Sequence, residues 1–178
     1  MSDSNIAPTK STVDGDRIRL LIADLANDDA GVRMAARAGL AEVGPAAVEA
    51  LNVSLLDPQQ HVRWEAAKTL EAIADVSAAT ALVAALHDED ADVRWVAGEA
   101  LVALGGGALP PLLSELIRHS HSSDFCRGAH HVLHDLAKAG HGELLSPVIQ
   151  ALDGPEPGVA APPMAFKLLQ FLTFGTGV

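Results

Sequence analysis

Tyrosine is absent from this sequence, aromatic residues make up only 3% of it, and Cys126 is its single cysteine. Few aromatics argue against a sheet core, where aromatic and β-branched side chains pack best. One cysteine excludes an intrachain disulfide framework. Positive charge is scarce too: 12 Lys and Arg against 23 Asp and Glu leave a formal charge of −11, with no basic run to engage a phosphate backbone. No apolar stretch approaches the roughly eighteen residues of a spanning helix, and MSDSNIAPTK has no apolar segment of the signal-peptide kind. These absences predict a cytoplasmic protein that engages neither nucleic acid nor membrane.

What the chain does have is Ala, Leu and Val: 49% of its 178 residues are hydrophobic, enough for one domain-sized core. Such residues favour closely packed helices, so the fold class is predicted to be all-α. A repeat makes this specific. VRMAARAGLAEVG begins at Val32, VRWEAAKTLEAIA at Val62, VRWVAGEALVALG at Val93 and FCRGAHHVLHDLA at Phe125, with periods of 30, 31 and 32 residues. Apolar residues recur at positions 0, +4, +8 and +11 of each unit, which is one face of an α-helix. A second apolar segment precedes each such helix, and polar turns such as NDDAG, DPQQ and DEDAD join the two.

Each unit therefore reads as a helical hairpin that cannot bury its apolar face alone and must stack on its neighbours. A fifth hairpin is traced in LLSPVIQALDGPEPG and PPMAFKLLQFLTF, with Ala161, Ala165, Leu169 and Leu172 keeping the spacing. The predicted units run over about 16–44, 45–75, 76–106, 107–139 and 141–174, within a single domain of 14–178 that follows a flexible tail, 1–13.

The units resemble HEAT repeats of the short kind found in phycobilisome-lyase-like proteins, over roughly residues 16 to 174. The resemblance implies an α-solenoid and a ladder of hydrogen bonds in which a turn Asp meets an Arg six residues later. Asn27 with Arg33, Asp57 with Arg63, and Asp88 with Arg94 match that pattern. In the fourth unit Ser120 and Cys126 stand at these positions, so the ladder is predicted to stop there.

At 100° per residue, positions +2, +6 and +9 of the second helices lie opposite the core stripe. In a HEAT-like stack that side lines the concave surface. These rows hold Met34, Trp64, Lys68, Trp95, Glu99, Arg127, His131 and His134, the predicted partner-binding residues. Trp and Arg are favoured anchors of protein interfaces, and Arg127 is expected to stack on Trp95. The bland alternative is that both tryptophans merely pack between helices.

Histidines concentrate in the fourth unit. His131 and His134, three residues apart and beside Glu99 of the preceding unit, could hold a divalent metal. No spacing matches a zinc signature, however: HHVLH lacks the Glu of HExxH. A titratable surface patch is the preferred reading, with no cofactor required. Deoxyhypusine hydroxylases, HEAT-like proteins with an iron centre, carry His after the VR pair, where this chain has Trp64 and Trp95. In SHSSDF, Ser123 or Asp124 is expected to cap the following helix.

The reading of function is a non-enzymatic scaffold that binds another protein on the concave face. The alternative is a metal-binding or chromophore-handling enzyme, lyase-like or hydroxylase-like, built on the fourth repeat. The last helix carries Phe166, Phe171 and Phe174, a candidate contact with a second copy or a partner, because a terminal repeat normally shows water a polar side.

Overall fold

The computed structural model describes residues 10–175, with side chains from Asp14 onward. Most of the expected 1–13 tail lies outside the described residues, and a helical backbone begins at Lys10. Ten α-helices and no strand occur among the described residues, paired as five hairpins: α1 (Lys10–Asp24) with α2 (Ala30–Val43), α3 (Val48–Ser54) with α4 (Gln60–Ile73), α5 (Ala79–Ala85) with α6 (Ala91–Ala103), α7 (Leu109–His119) with α8 (Ser123–Leu136), and α9 (Gly142–Asp153) with α10 (Pro157–Phe174). The fold is an all-α solenoid.

Local chemistry sets the helix ends. Asp29, Asp90 and Ser122 accept hydrogen bonds from the first-turn amides of α2, α6 and α8. The cap of α8 is thus Ser122, not Ser123 or Asp124. Left-handed residues follow the earlier second helices: Gly44 (φ 71°) after α2, Ala74 (φ 52°) after α4 and Gly105 (φ 63°) one residue beyond Leu104. Glycine adopts this region freely, whereas Ala74 does so against the clash of its Cβ. Short 3-10 helices at Gly44–Ala47, Val76–Ala78 and Gly105–Ala108 then lead the chain across to the next first helix.

The stripe read from the sequence forms the core. Ala36 and Leu40 of α2, Val62, Ala66 and Leu70 of α4, Val93, Ala97 and Leu101 of α6, and Phe125, Ala129, Leu133 and Leu136 of α8 are buried. Second helices pack in series, α2 on α4, α4 on α6 and α6 on α8. First helices form the other layer: α1 meets α3, α3 meets the 3-10 helix leading into α5, and α5 meets α7.

The fifth hairpin departs from this order. After α8 the chain runs through a five-residue π-helical turn, Ala137–His141, with Gly140 at φ 116°, in place of the 3-10 helix that elsewhere crosses between layers. As a result α9 packs on α8, and α10 crosses to pack on α7. The layers are exchanged, so α10 is not a further second helix in register. Its buried residues are Ala161, Ala165 and Leu168, while the predicted core position Leu172 is 37% exposed. Gly158 allows this docking: a Cβ there would come within 3.3 Å of the Ser120 carbonyl oxygen.

Candidate functional site

The arginine ladder is the frame on which the surface residues hang. In each of the first three units one arginine nitrogen (Nη1) donates to the carbonyl six residues earlier: Arg33 to Asn27 at 2.8 Å, Arg63 to Asp57 at 2.9 Å and Arg94 to Asp88 at 2.8 Å. The turn carboxylates and Asn27 meanwhile accept from the backbone two residues on. The remaining edge of Arg63 reaches the next unit, with Nε 2.7 Å from Asp88 Oδ2 and Nη2 2.9 Å from Oδ1. Arg63 is held above its usual pKa, chiefly by its hydrogen bond to Asp88, against the opposing effect of burial.

Only that rung joins two turns in the predicted way. Arg33 turns instead to Glu65 at 2.9 Å, because Glu65 is buried on α4 and presents the nearer carboxylate. In the fourth unit the charged ladder stops, yet a neutral copy replaces it. The Cys126 thiol donates to the Ser120 carbonyl at 3.2 Å, again across six residues, and Ser120 Oγ donates to the Gly158 carbonyl of the next unit at 3.0 Å. Burial pushes the Cys126 thiol pKa up.

On the second-helix face the eight predicted partner-binding residues divide. Met34, Trp95, Arg127 and His134 are exposed, at 62% for Met34 and 59% for Trp95, while Trp64, Lys68, Glu99 and His131 are half-buried. The two tryptophans are held differently. Trp64 lies beneath the Arg37 guanidinium, whose carbon is 5.4 Å from the ring centroid. Arg37 Nε also comes within 2.9 Å of Glu65 without hydrogen-bond alignment.

Trp95 stacks on His131, with centroids 4.5 Å apart and planes 23° from parallel. His131 Nε2 is in turn 2.7 Å from Glu99 Oε1. Gly98 makes room for this ring, since a Cβ there would sit 3.3 Å from His131 Cδ2. The expected stack of Arg127 on Trp95 does not form, because Arg127 pairs with Asp124 one turn away on its own helix. Lys68 pairs likewise with Glu71 at 2.7 Å.

The candidate metal trio is not assembled either. His134 points to Asp135, 3.4 Å away, and lies alongside His130 rather than Glu99. The acidic neighbour that joins Glu99 and His131 is Asp135, which lies off the +2, +6 and +9 rows of the predicted face. Lys138, 2.9 Å from Asp135, is the main reason that carboxylate titrates below its usual range. An ammonium at that distance opposes a bound cation.

The first-helix side holds features that the wheel left unread. A groove of about 790 Å³ runs between α3 and α5, lined by residues including Leu56, Ala81 and Ala84 and bordered by Arg63, Asp88 and His87. Beyond it, His87, Glu115 and His119 meet at the junction of the third and fourth units. On the second-helix side a shallower groove of about 230 Å³ lies between α2 and α4, with Met34, Arg37 and Lys68 among its lining residues. No described helix is long and apolar enough to cross a membrane.

A family model described as HEAT repeats matches residues 18–102, from the second half of α1 to all but the last residue of α6. No curated protein matches the chain in sequence. Among solved structures, a crystal structure of an engineered protein is 22% identical, with 93% of this chain and 83% of that one covered at a TM-score of 0.45. Another engineered protein is 23% identical, with 92% and 84% covered at a TM-score of 0.44.

Proposed function

We propose that this chain of HEAT repeats is a non-enzymatic scaffold that binds another protein on the second-helix face of its first four units, in a reducing, cytoplasmic setting. HEAT repeats are generally protein-interaction scaffolds. The observation that carries the reading is Trp95: an indole 59% exposed, yet ordered by its stack on His131 and, through it, by Glu99. A large aromatic side chain held in place loses little conformational freedom on binding, which suits it to anchor an interface. Met34 extends the apolar surface, and Lys68, Glu99 and Arg127 supply a polar rim of both signs. The partner is a protein segment that covers Trp95 with an apolar side chain.

The test is cross-linking in cells followed by reconstitution with the purified partner. Trp95→Ala is expected to weaken the complex by roughly 30-fold, the worth of an interface anchor of about 2 kcal/mol. Equal affinity of the wild type and the variant would remove Trp95 from the interface and end this reading.

We extend the proposal to α10, whose Phe166, Phe171 and Phe174 are exposed. Large apolar side chains left exposed on a terminal helix, where a repeat array normally turns a polar side to water, point to an interaction site. Its occupant is a second copy of the chain, related by a two-fold axis that brings the same helix face to itself.

A further inference from the structure

We propose that His87, Glu115 and His119 form a binding site for a divalent transition-metal ion, zinc above all, that ties the third HEAT hairpin to the fourth. Glu115 and His119 are one turn apart on α7, and His87 follows α5 in the preceding unit. His87 Nε2 lies 3.1 Å and His119 Nδ1 2.8 Å from the same oxygen, Glu115 Oε1. One donor atom from each of the three residues lies within 4.8 Å of the others. A tetrahedral zinc with bonds near 2.1 Å needs ligand atoms about 3.4 Å apart, so small side-chain rotations complete the set. Two imidazoles and one carboxylate with positions left open to water are a ligand set that suits zinc.

The positions of these groups are partly built in. The His87 ring lies parallel to the buried Phe125 ring, with centroids 4.5 Å apart and planes 3° from parallel. It meets the His119 ring edge-on at 5.4 Å. Glu115 is the point on which both imidazoles converge, and among the described residues no Lys or Arg forms an ion pair with it. The Glu99, His131 and Asp135 group offers a single imidazole and carries Lys138 on its carboxylate, which makes it the poorer site. Each imidazole would bind the ion through one ring nitrogen and carry its proton on the other.

The location gives the ion a role. Arg63 and Asp88 tie the second unit to the third, but the next rung lacks its carboxylate, because Ser120 stands where an Asp would receive Arg94. A metal held by His87 of the third unit and by Glu115 and His119 of the fourth spans the same junction by a different bond.

The experiment is calorimetric titration of untagged protein with zinc chloride, paired with thermal unfolding with and without the ion. The wild type is expected to bind one zinc per chain and to unfold at a higher temperature when loaded. His119→Gln, at a position 52% exposed in its side chain, and Glu115→Gln are each expected to bind about tenfold more weakly or worse. Circular dichroism confirms that each variant is folded. A His131→Gln, His134→Gln double variant is expected to bind as the wild type does. The proposal is overturned if the wild type binds no stoichiometric zinc, if His119→Gln binds it equally well, or if the double variant is the one that loses it.

Discussion

Arg63 of the second hairpin grips Asp88 of the third through two parallel hydrogen bonds, while its remaining nitrogen holds the Asp57 carbonyl of its own turn. Both side chains of this pair are buried. Removing one partner from such a pair leaves the other charge in a poorly hydrated place. Arg63→Ala is expected to destabilise the fold by about 3–5 kcal/mol, read from urea unfolding followed by circular dichroism. Arg63→Lys should recover little, since an ammonium cannot make the two-point contact and hold the turn as well. Wild-type stability in the lysine variant would show that charge alone suffices.

Ala74 ends α4 in the left-handed region at φ 52°, at an exposed position where Gly44 and Gly105 serve the neighbouring units. Ala74→Gly relieves a Cβ clash and gives back part of the gain as unfolded-chain entropy. A net stabilisation of about 1 kcal/mol is expected, seen as a higher urea midpoint at unchanged slope.

Asp90 caps α6, and the amide of Val93 is the main reason that its carboxyl lies below the usual range. A group whose folded pKa is depressed contributes stability above its unfolded value, near 3.8, and loses it as the pH falls through the folded value. Asp90→Asn keeps a capping oxygen but cannot titrate. The variant should therefore lose less stability than the wild type between neutral pH and a pH below 3.8, by urea titration at both.

Cys126 is buried, with its thiol raised in pKa by that burial and donating to the Ser120 carbonyl. Since the thiolate is the reactive form, a disulfide reagent should modify native protein only as fast as the chain opens. Rapid labelling of folded protein at neutral pH would contradict this placement.

Phe171 and Phe174 are exposed on α10, and the proposed self-association through them is open to test. Sedimentation should find a dimer that Phe171→Glu combined with Phe174→Glu converts to monomer. A monomeric wild type would dismiss the second copy.

The repeat, the core stripe and the turn chemistry follow from the order of residues alone, because each is local. Ala66 and Leu70, or Ala97 and Leu101, are buried for the reason that their spacing announces: one helix face must leave water. The six-residue step from Arg63 to Asp57, or from Arg94 to Asp88, lies within one turn and was legible for the same reason. Trp95, Glu99 and His131 could be placed on one face from the wheel alone.

Which neighbour covers a face is not written in its period and depends on how the hairpins stack. Gly140 and its π-helical turn sent α9 to α8 and α10 to α7, so Leu172 met water where the spacing had promised a core. Short-range pairing claimed Arg127 for Asp124 before Trp95 could, since a partner one turn away costs less ordering than one across an interface. His87 and Glu115 are 28 residues apart on separate hairpins, and only the stacking of the third unit on the fourth brings them together.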